Sequence, residues 1–229
     1  MTDLAVYLHD RIDIEGGARG KLIEMIRSRW APHLEHRHGV RLVGAWATVG
    51  STASWPEVRL HWELDDWAHF ARAQSGQFPM EERDVFLTEL WNQALELRQR
   101  GHSALLRPAS FSPDLARIRA RGISGEVILH EDVRALPGRL PAYHGALEKR
   151  FLPLAEKRGL RLLGAYSHAL APNLALNLWV LRGWEHWREL MEAEAADAEL
   201  RAWSDGLGEW LEDLDGFLVV PPPQGALRT

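Results

Sequence analysis

Gly39-Val40-Arg41-Leu42-Val43-Gly44-Ala45-Trp46 returns further along the chain as Gly159-Leu160-Arg161-Leu162-Leu163-Gly164-Ala165-Tyr166. Five of the eight positions are identical and the other three keep their character. The match extends outward on both sides. Upstream, Leu8-His9-Asp10 pairs with Leu129-His130-Glu131, and Trp30-x-Pro32 with Phe151-x-Pro153. Downstream, Asp66-Trp67-Ala68-His69-Phe70 pairs with Gly183-Trp184-Glu185-His186-Trp187. Order is preserved while the offset drifts only from 121 to 117 residues. A repeat of this kind governs the fold, because each copy must form the same supersecondary unit.

Both halves read alike. A first strand is expected over Leu4 to Asp10 and again over Glu126 to Asp132. A helix follows, with Leu140, Tyr143, Leu147, Phe151 and Leu154 on one face of period 3.6 and Leu22, Ile26 and Trp30 in the equivalent places. Pro32 and Pro153 should kink or end that helix, and Gly39 and Gly159 supply the turn after it. A hairpin comes next, Arg41 to Thr48 with Val58 to Leu64, repeated as Arg161 to His168 with Leu174 to Val180. Helices over Trp67 to Gln74 and around Leu87 to Ala94 match Trp184 to Ala195 and Leu200 to Leu211. Short last strands close the halves at Ser103 to Arg107 and Phe217 to Val220. The order βαββαβ is the ferredoxin-like motif. The fold class is therefore α+β, two tandem ferredoxin-like repeats with antiparallel sheets. The expected boundaries are 1–107 and 126–220 for the repeats, 108–125 for a connector whose Arg117, Arg119 and Arg121 form a solvated helical face, and 221–229 for a tail.

Composition excludes several classes of function. The 229 residues contain no cysteine, which removes disulfides, thiolate metal sites, iron–sulfur clusters and cysteine nucleophiles together. The formal charge of −5 and the absence of a basic cluster argue against nucleic acid as a partner. No apolar run is long enough to span a membrane, and Met1 to Asp10 does not have the form of a signal peptide, so a cytoplasmic protein is expected. There is no glycine-rich phosphate loop, dinucleotide fingerprint, G-x-S-x-G elbow or HExxH. Tryptophan is in surplus, 11 against 3 tyrosines. Large amphipathic rings of this kind suit a deep core, an interface or an aromatic-lined pocket.

The second half resembles a NIPSNAP-family domain. The resemblance rests on Pro137-Gly138-Arg139-Leu140, Phe151-Leu152-Pro153-Leu154, Gly159 to Tyr166, Asn173 with Leu178-Trp179, and Trp187-Arg188; the first half is a more diverged copy. It implies the dimeric α+β barrel superfamily, in which two ferredoxin-like units set their sheets face to face. Here both units lie in one chain, so the resemblance implies an intramolecular barrel, a monomer with an internal pseudo-dimer, with a homodimer also open. The superfamily includes cofactor-free monooxygenases, cyclases, isomerases and haem enzymes, so fold alone does not fix function.

Strand alternation sorts side chains into two faces. Val58, Leu60 and Trp62 are expected under the helices, which turns Arg59, His61 and Glu63 inward. The same alternation offers Ala175, Asn177 and Trp179 inward in the second half. His9 and His130 share the inner face with Tyr7, and one choice of face adds Trp46, Tyr166 and His168. The expected acid/base set is thus His61, Arg59, Glu63, His9 and His130, with Tyr7, Trp46, Tyr166, His168, Asn177 and Trp179 lining a substrate site. Arg59 could hold a carboxylate or an oxyanion, and Glu63 could orient an imidazole. The plain alternatives are a solvated charged face for Arg59, His61 and Glu63 and a fold-bonding role for His9 and His130. His69 and His186 are expected to be structural. His33, His36 and His38 read as solvated turn histidines with no acidic partner but Glu35, and no metal site is assigned to them.

Together these features point to cofactor-independent acid/base chemistry (cyclisation, isomerisation, dehydration or oxygenation) on an apolar or aromatic small molecule. Two alternatives stand beside it: a haem or metal enzyme using one inward histidine, and a non-catalytic ligand-binding or assembly protein.

Overall fold

Val6–Ile14, alternating in burial along its length, forms the first strand, β1. The computed structural model describes residues 5–75, 84–194 and 196–222. Leu4, Ala195 and the expected tail beyond residue 222 lie outside the described residues. Two compact units emerge, Met1–Leu106 with Pro221–Thr229, and Arg107–Val220.

The first unit continues with α1 (Arg19–Met25), α2 (Ala31–His38), β2 (Arg41–Thr48), β3 (Glu57–Leu64), α3 (Trp67–Ser75), α4 (Val85–Leu95) and β4 (Arg98–Pro108). Its sheet runs β4-β1-β3-β2, each neighbouring pair antiparallel. In the second unit, α5 (Leu115–Ala120) precedes β5 (Val127–Ala135), α6 (Leu140–Ala146), α7 (Leu152–Lys157), β6 (Arg161–His168), β7 (Leu174–Leu181), α8 (Trp184–Glu194), α9 (Ala198–Gly206) and β8 (Leu211–Val220). Its sheet runs β8-β5-β7-β6 in the same antiparallel sense. Each unit is a βαββαβ fold. No helix among the described residues is long and apolar enough to cross a membrane.

Two features depart from the sequence expectation. The prolines neither end the helix nor stand alone in bending it: a five-residue π-helical stretch precedes each, Ile26–Trp30 before Pro32 and Leu147–Phe151 before Pro153. A proline lacks the N–H and crowds the carbonyl four residues back, and widening the preceding turn relieves both. The last strands are longer than expected. Arg98 to His102 is polar and contains Gly101, yet it continues β4 because it pairs with the far end of β1, Arg11 opposite His102 and Asp13 opposite Arg100. The connector holds a helix, α5, capped by Asp114 accepting from the Arg117 N–H at 2.7 Å. Its Leu115 and Ile118 are buried and Arg117, Arg119 and Arg121 are exposed.

Repeat-conserved residues mostly serve the fold. Gly39 (φ 68°) and Gly159 (φ 81°) take the left-handed conformation that follows each helix. The histidines expected to be structural pack on them. His69 Nε2 donates to the His38 carbonyl at 2.6 Å while its Nδ1 accepts from the Asp65 N–H. His186 does the same with the Arg158 carbonyl at 2.7 Å and the Arg182 N–H. Each ring thereby ties its β3- or β7-following turn to the end of the preceding helix.

Gly44 and Gly164 sit at matching bulges in β2 and β6. The aromatic ring two residues on lies over each: a Cβ would stand 1.9 Å from Trp46 Cζ2 in one and 2.0 Å from Tyr166 Oη in the other. Tyr166 is fully buried, so its ring has little room to retreat. Gly164→Ala is therefore expected to cost about 1–3 kcal/mol through overpacking. An unchanged melting temperature would show that the ring does not depend on the missing side chain.

Candidate functional site

The register of the two sheets decides which side chains share a face. In the second unit, Leu129 stands opposite Trp179, Glu131 opposite Asn177 and Val133 opposite Ala175. Ala175 and Trp179 belong to the core that Leu140, Tyr143 and Leu147 of the α6 helical arm complete. Asn177 Nδ2 donates to Tyr143 Oη at 2.8 Å and to Glu131 Oε2 at 3.0 Å, and Trp179 Nε1 donates to the same carboxyl oxygen at 2.9 Å. Asn177 and Trp179 thus face the helices, not the opposite side as the sequence suggested. In the first unit, Leu8 stands opposite Trp62 as Leu129 does opposite Trp179. Trp62 Nε1 donates to Asp10 Oδ2 at 2.9 Å, the counterpart of the Trp179–Glu131 bond. Burial raises the pKa of both acids, Glu131 and Asp10, against the lowering effect of these donors. Tyr143 is likewise raised, first by burial and then by the charge of Glu131.

The matched positions are therefore Arg59 with Leu176, His61 with Leu178 and Glu63 with Val180. At these positions β7 is apolar, whereas β3 carries Arg59, His61 and Glu63. These partners are one residue away from Ala175, Asn177 and Trp179, which strand alternation had offered.

On that face of the first unit the buried groups form two linked clusters. Tyr7 stands opposite Glu63 and His9 opposite His61. Tyr7 Oη donates to Glu63 Oε2 at 2.6 Å, and Arg41, across from Glu63 on β2, donates to Oε1 through Nη2 at 3.0 Å and Nε at 3.2 Å. The Tyr7 ring lies parallel to His61 with centroids 5.2 Å apart, and Trp46 flanks His61 at 6.5 Å. His9 Nδ1 and His61 Nδ1 are 3.3 Å apart, one donating to the other. One turn of the pleat further on, Arg59 Nη2 donates to Glu57 Oε2 at 2.9 Å, and Arg11 binds the other oxygen of that carboxylate.

Arg59, His61 and Glu63 are 5%, 0% and 4% exposed, so a solvated charged face is excluded. Burial pushes the His61 pKa down to about 3, which keeps the ring neutral at physiological pH. Arg59 is engaged by Glu57 and Glu63 by Tyr7 and Arg41, so both act on the imidazoles at one remove. Sequence reading passed over Arg41, Glu57 and Arg11. The hairpin pairing of Arg41 with Glu63 was the available signal, since opposite charges across two strands lie within reach of each other.

The remaining site residues lie in the second unit. His130 is fully buried, stacked on Phe217 at 4.3 Å, with Nδ1 3.7 Å from Asp132 Oδ1. Tyr166 is fully buried over Gly164, and His168 is half-buried at the end of β6. The helical histidines also differ from expectation. His33 and His38 are half-buried and have an acidic partner in Asp84, brought across from the start of α4, while His36 is exposed.

No protein-family model matches the sequence, and no curated protein matches it. Solved structures do. A protein from Lactobacillus acidophilus described as a candidate monooxygenase is 9% identical, with 95% of this chain and 94% of that chain covered and a TM-score of 0.65. A mutant chlorite dismutase from Candidatus Nitrospira defluvii is 8% identical over 97% and 93% of the two chains, with a TM-score of 0.56. These likenesses are of fold alone. A NIPSNAP domain protein from Burkholderia xenovorans is also similar, 19% identical over 45% of this chain and 98% of its own, with a TM-score of 0.38.

Proposed function

We propose that the first unit carries an acid/base site that moves a proton within an apolar or aromatic small molecule without a cofactor. The observation that supports it is the buried imidazole pair, His9 with His61. A hydrogen bond between two Nδ1 atoms fixes the tautomers of neutral rings against each other. The ring that donates through Nδ1 has a lone pair on Nε2, and the ring that accepts carries a proton there. The pair is therefore one base and one acid joined by a shared proton. Removal of a substrate proton by the first ring, passage of the shared proton and delivery from the second ring amount to a proton shift that leaves both rings neutral. No imidazolium has to persist in the buried setting, because the proton taken up by one ring is matched by the proton released from the other.

The supporting groups act by positioning. Glu63, held by Arg41, anchors Tyr7, and Tyr7 lies flat on His61. Glu57 offsets the charge of Arg59. Isomerisation, tautomerisation and cyclisation of a carbonyl compound are the reaction classes this arrangement serves.

Deuterium exchange tests the proposal. The protein is incubated in D2O with a panel of aromatic 1,3-dicarbonyl compounds, and exchange at the carbon between the carbonyls is followed by NMR. Exchange above the buffer rate is expected, reduced at least tenfold in His61→Gln and in His9→Gln. A Soret band in the purified protein would favour the haem alternative. Binding of panel members with no accelerated exchange would favour a non-catalytic ligand-binding protein.

A further inference from the structure

We propose that His33, His38 and Asp84 form a binding site for a divalent transition metal of the zinc type, tying the α2 helix to the start of α4. His33 Nε2 lies 2.6 Å and His38 Nε2 3.0 Å from the same oxygen, Oδ2 of Asp84. All three donor atoms lie within 4.8 Å of one another. Ligands on a tetrahedral zinc, with bonds of about 2.0–2.1 Å, stand roughly 3.3 Å apart. Small side-chain rotations thus convert the present arrangement into a coordination shell. Two imidazoles and a carboxylate suit zinc, cobalt or nickel better than calcium or magnesium, which prefer oxygen alone. Water can complete the shell, since the three side chains are 26%, 32% and 18% exposed.

The carboxylate is already held in place. Asp84 is the N-cap of α4, and its Oδ1 accepts from the Leu87 N–H at 3.2 Å, leaving Oδ2 for the histidines. His33 is steadied by Phe86, with ring centroids 4.4 Å apart. A metal-binding carboxylate oriented by a second hydrogen bond is the usual arrangement in metal sites.

The duplication supplies an internal control. Asp197 caps α9 as Asp84 caps α4. Arg158 stands where His38 does, for the carbonyls of both receive the Nε2 proton of the repeat-matched histidine. There Arg158 grips Asp197 directly through Nε at 2.8 Å and through Nη2. The place of His33 is taken by Leu154, one residue after the matched proline. In the second half the cap carboxylate therefore has a single permanent cation. In the first half that cation is exchanged for two imidazoles, which pair only weakly with a carboxylate when neutral but bind a metal well. This substitution distinguishes a metal site from a plain ion pair.

The test uses the full-length protein titrated with ZnCl2 by isothermal calorimetry, with thermal unfolding alongside. One equivalent of zinc should bind, and the melting temperature should rise with it. Three variants separate the outcomes. His33→Leu/His38→Arg copies the second half and should fold normally while binding zinc at least tenfold more weakly and losing the rise in melting temperature. Asp84→Asn retains the helix cap and should weaken binding by a similar factor. His61→Gln should bind as the wild type does. Absence of zinc binding to the folded wild type overturns the proposal. So does undiminished binding by the double variant, which would place the metal on other histidines.

Discussion

Trp179→Ala is expected to lower the unfolding free energy by about 3–5 kcal/mol, in the range found for deleting a fully buried large aromatic. Trp179 is fully buried and meets the edge of Phe151, with centroids 5.2 Å apart. Its loss removes that contact and leaves a cavity beneath the α6 helical arm, where close packing limits relaxation. It also takes one of two donors from Glu131 Oε2, a carboxyl whose burial already disfavours charge. Trp179→Phe separates the two effects. It keeps most of the apolar contact and loses the N–H, so it should cost about 1–3 kcal/mol, the penalty for a buried polar group deprived of a partner. Urea titration followed by circular dichroism checks both. A cost below that of Trp179→Phe for the alanine variant would place the ring outside the core.

The same tryptophan shows where sequence reading stopped. The duplication was legible because helices, hairpin and turn glycines recur in order, and each such residue makes a local demand that any copy must meet. Gly39 and Gly159 need positive φ, and His69 and His186 bridge the same two backbone groups. The inner face of the second half was not legible. β7, Leu174 to Leu181, is apolar on both sides and buried almost throughout, so its hydrophobic pattern does not say which face is which. A shift of one residue then moves every side chain to the other face. Asn177 and Trp179 were misplaced for this reason. Pairing Trp62 with Trp179, and Asp10 with Glu131, would have fixed the register from sequence, since an indole N–H buried in one copy needs the same acceptor in the other. β3 was readable because its charged residues fall on one face only. The Asp84 link to His33 and His38 was out of reach of local pattern, as it joins residues 46 to 51 positions apart.

Acid should expose His61 as a major determinant of stability. The unfolded chain takes up a proton on this imidazole near its ordinary pKa of 6.5, whereas the folded chain resists until about 3. Below 6.5 the unfolded state binds more protons, and stability must fall with pH. The contribution is fully present above 6.5 and is lost progressively down to about 3, at about 1.4 kcal/mol for each pH unit. His144, partly buried beside Tyr143 and Phe111 and with its pKa lowered to about 4 by burial, works in the same direction. Glu131 and Asp10 oppose both, because a carboxyl with a raised pKa is protonated first in the folded state and favours it as pH drops. The whole-protein profile mixes these effects; a comparison of variants does not. Between pH 7 and pH 4.5 the wild type should lose about 2.5 kcal/mol more than His61→Gln, which cannot take up the proton in either state. His144→Gln should flatten the profile in the same sense and by less, since its folded pKa lies closer to 6.5. Urea unfolding at a series of pH values gives both differences. Parallel curves for wild type and His61→Gln would mean that His61 is protonated as readily in the folded protein as in the unfolded chain. The neutral pair with His9, on which the proton relay depends, would then fall with it.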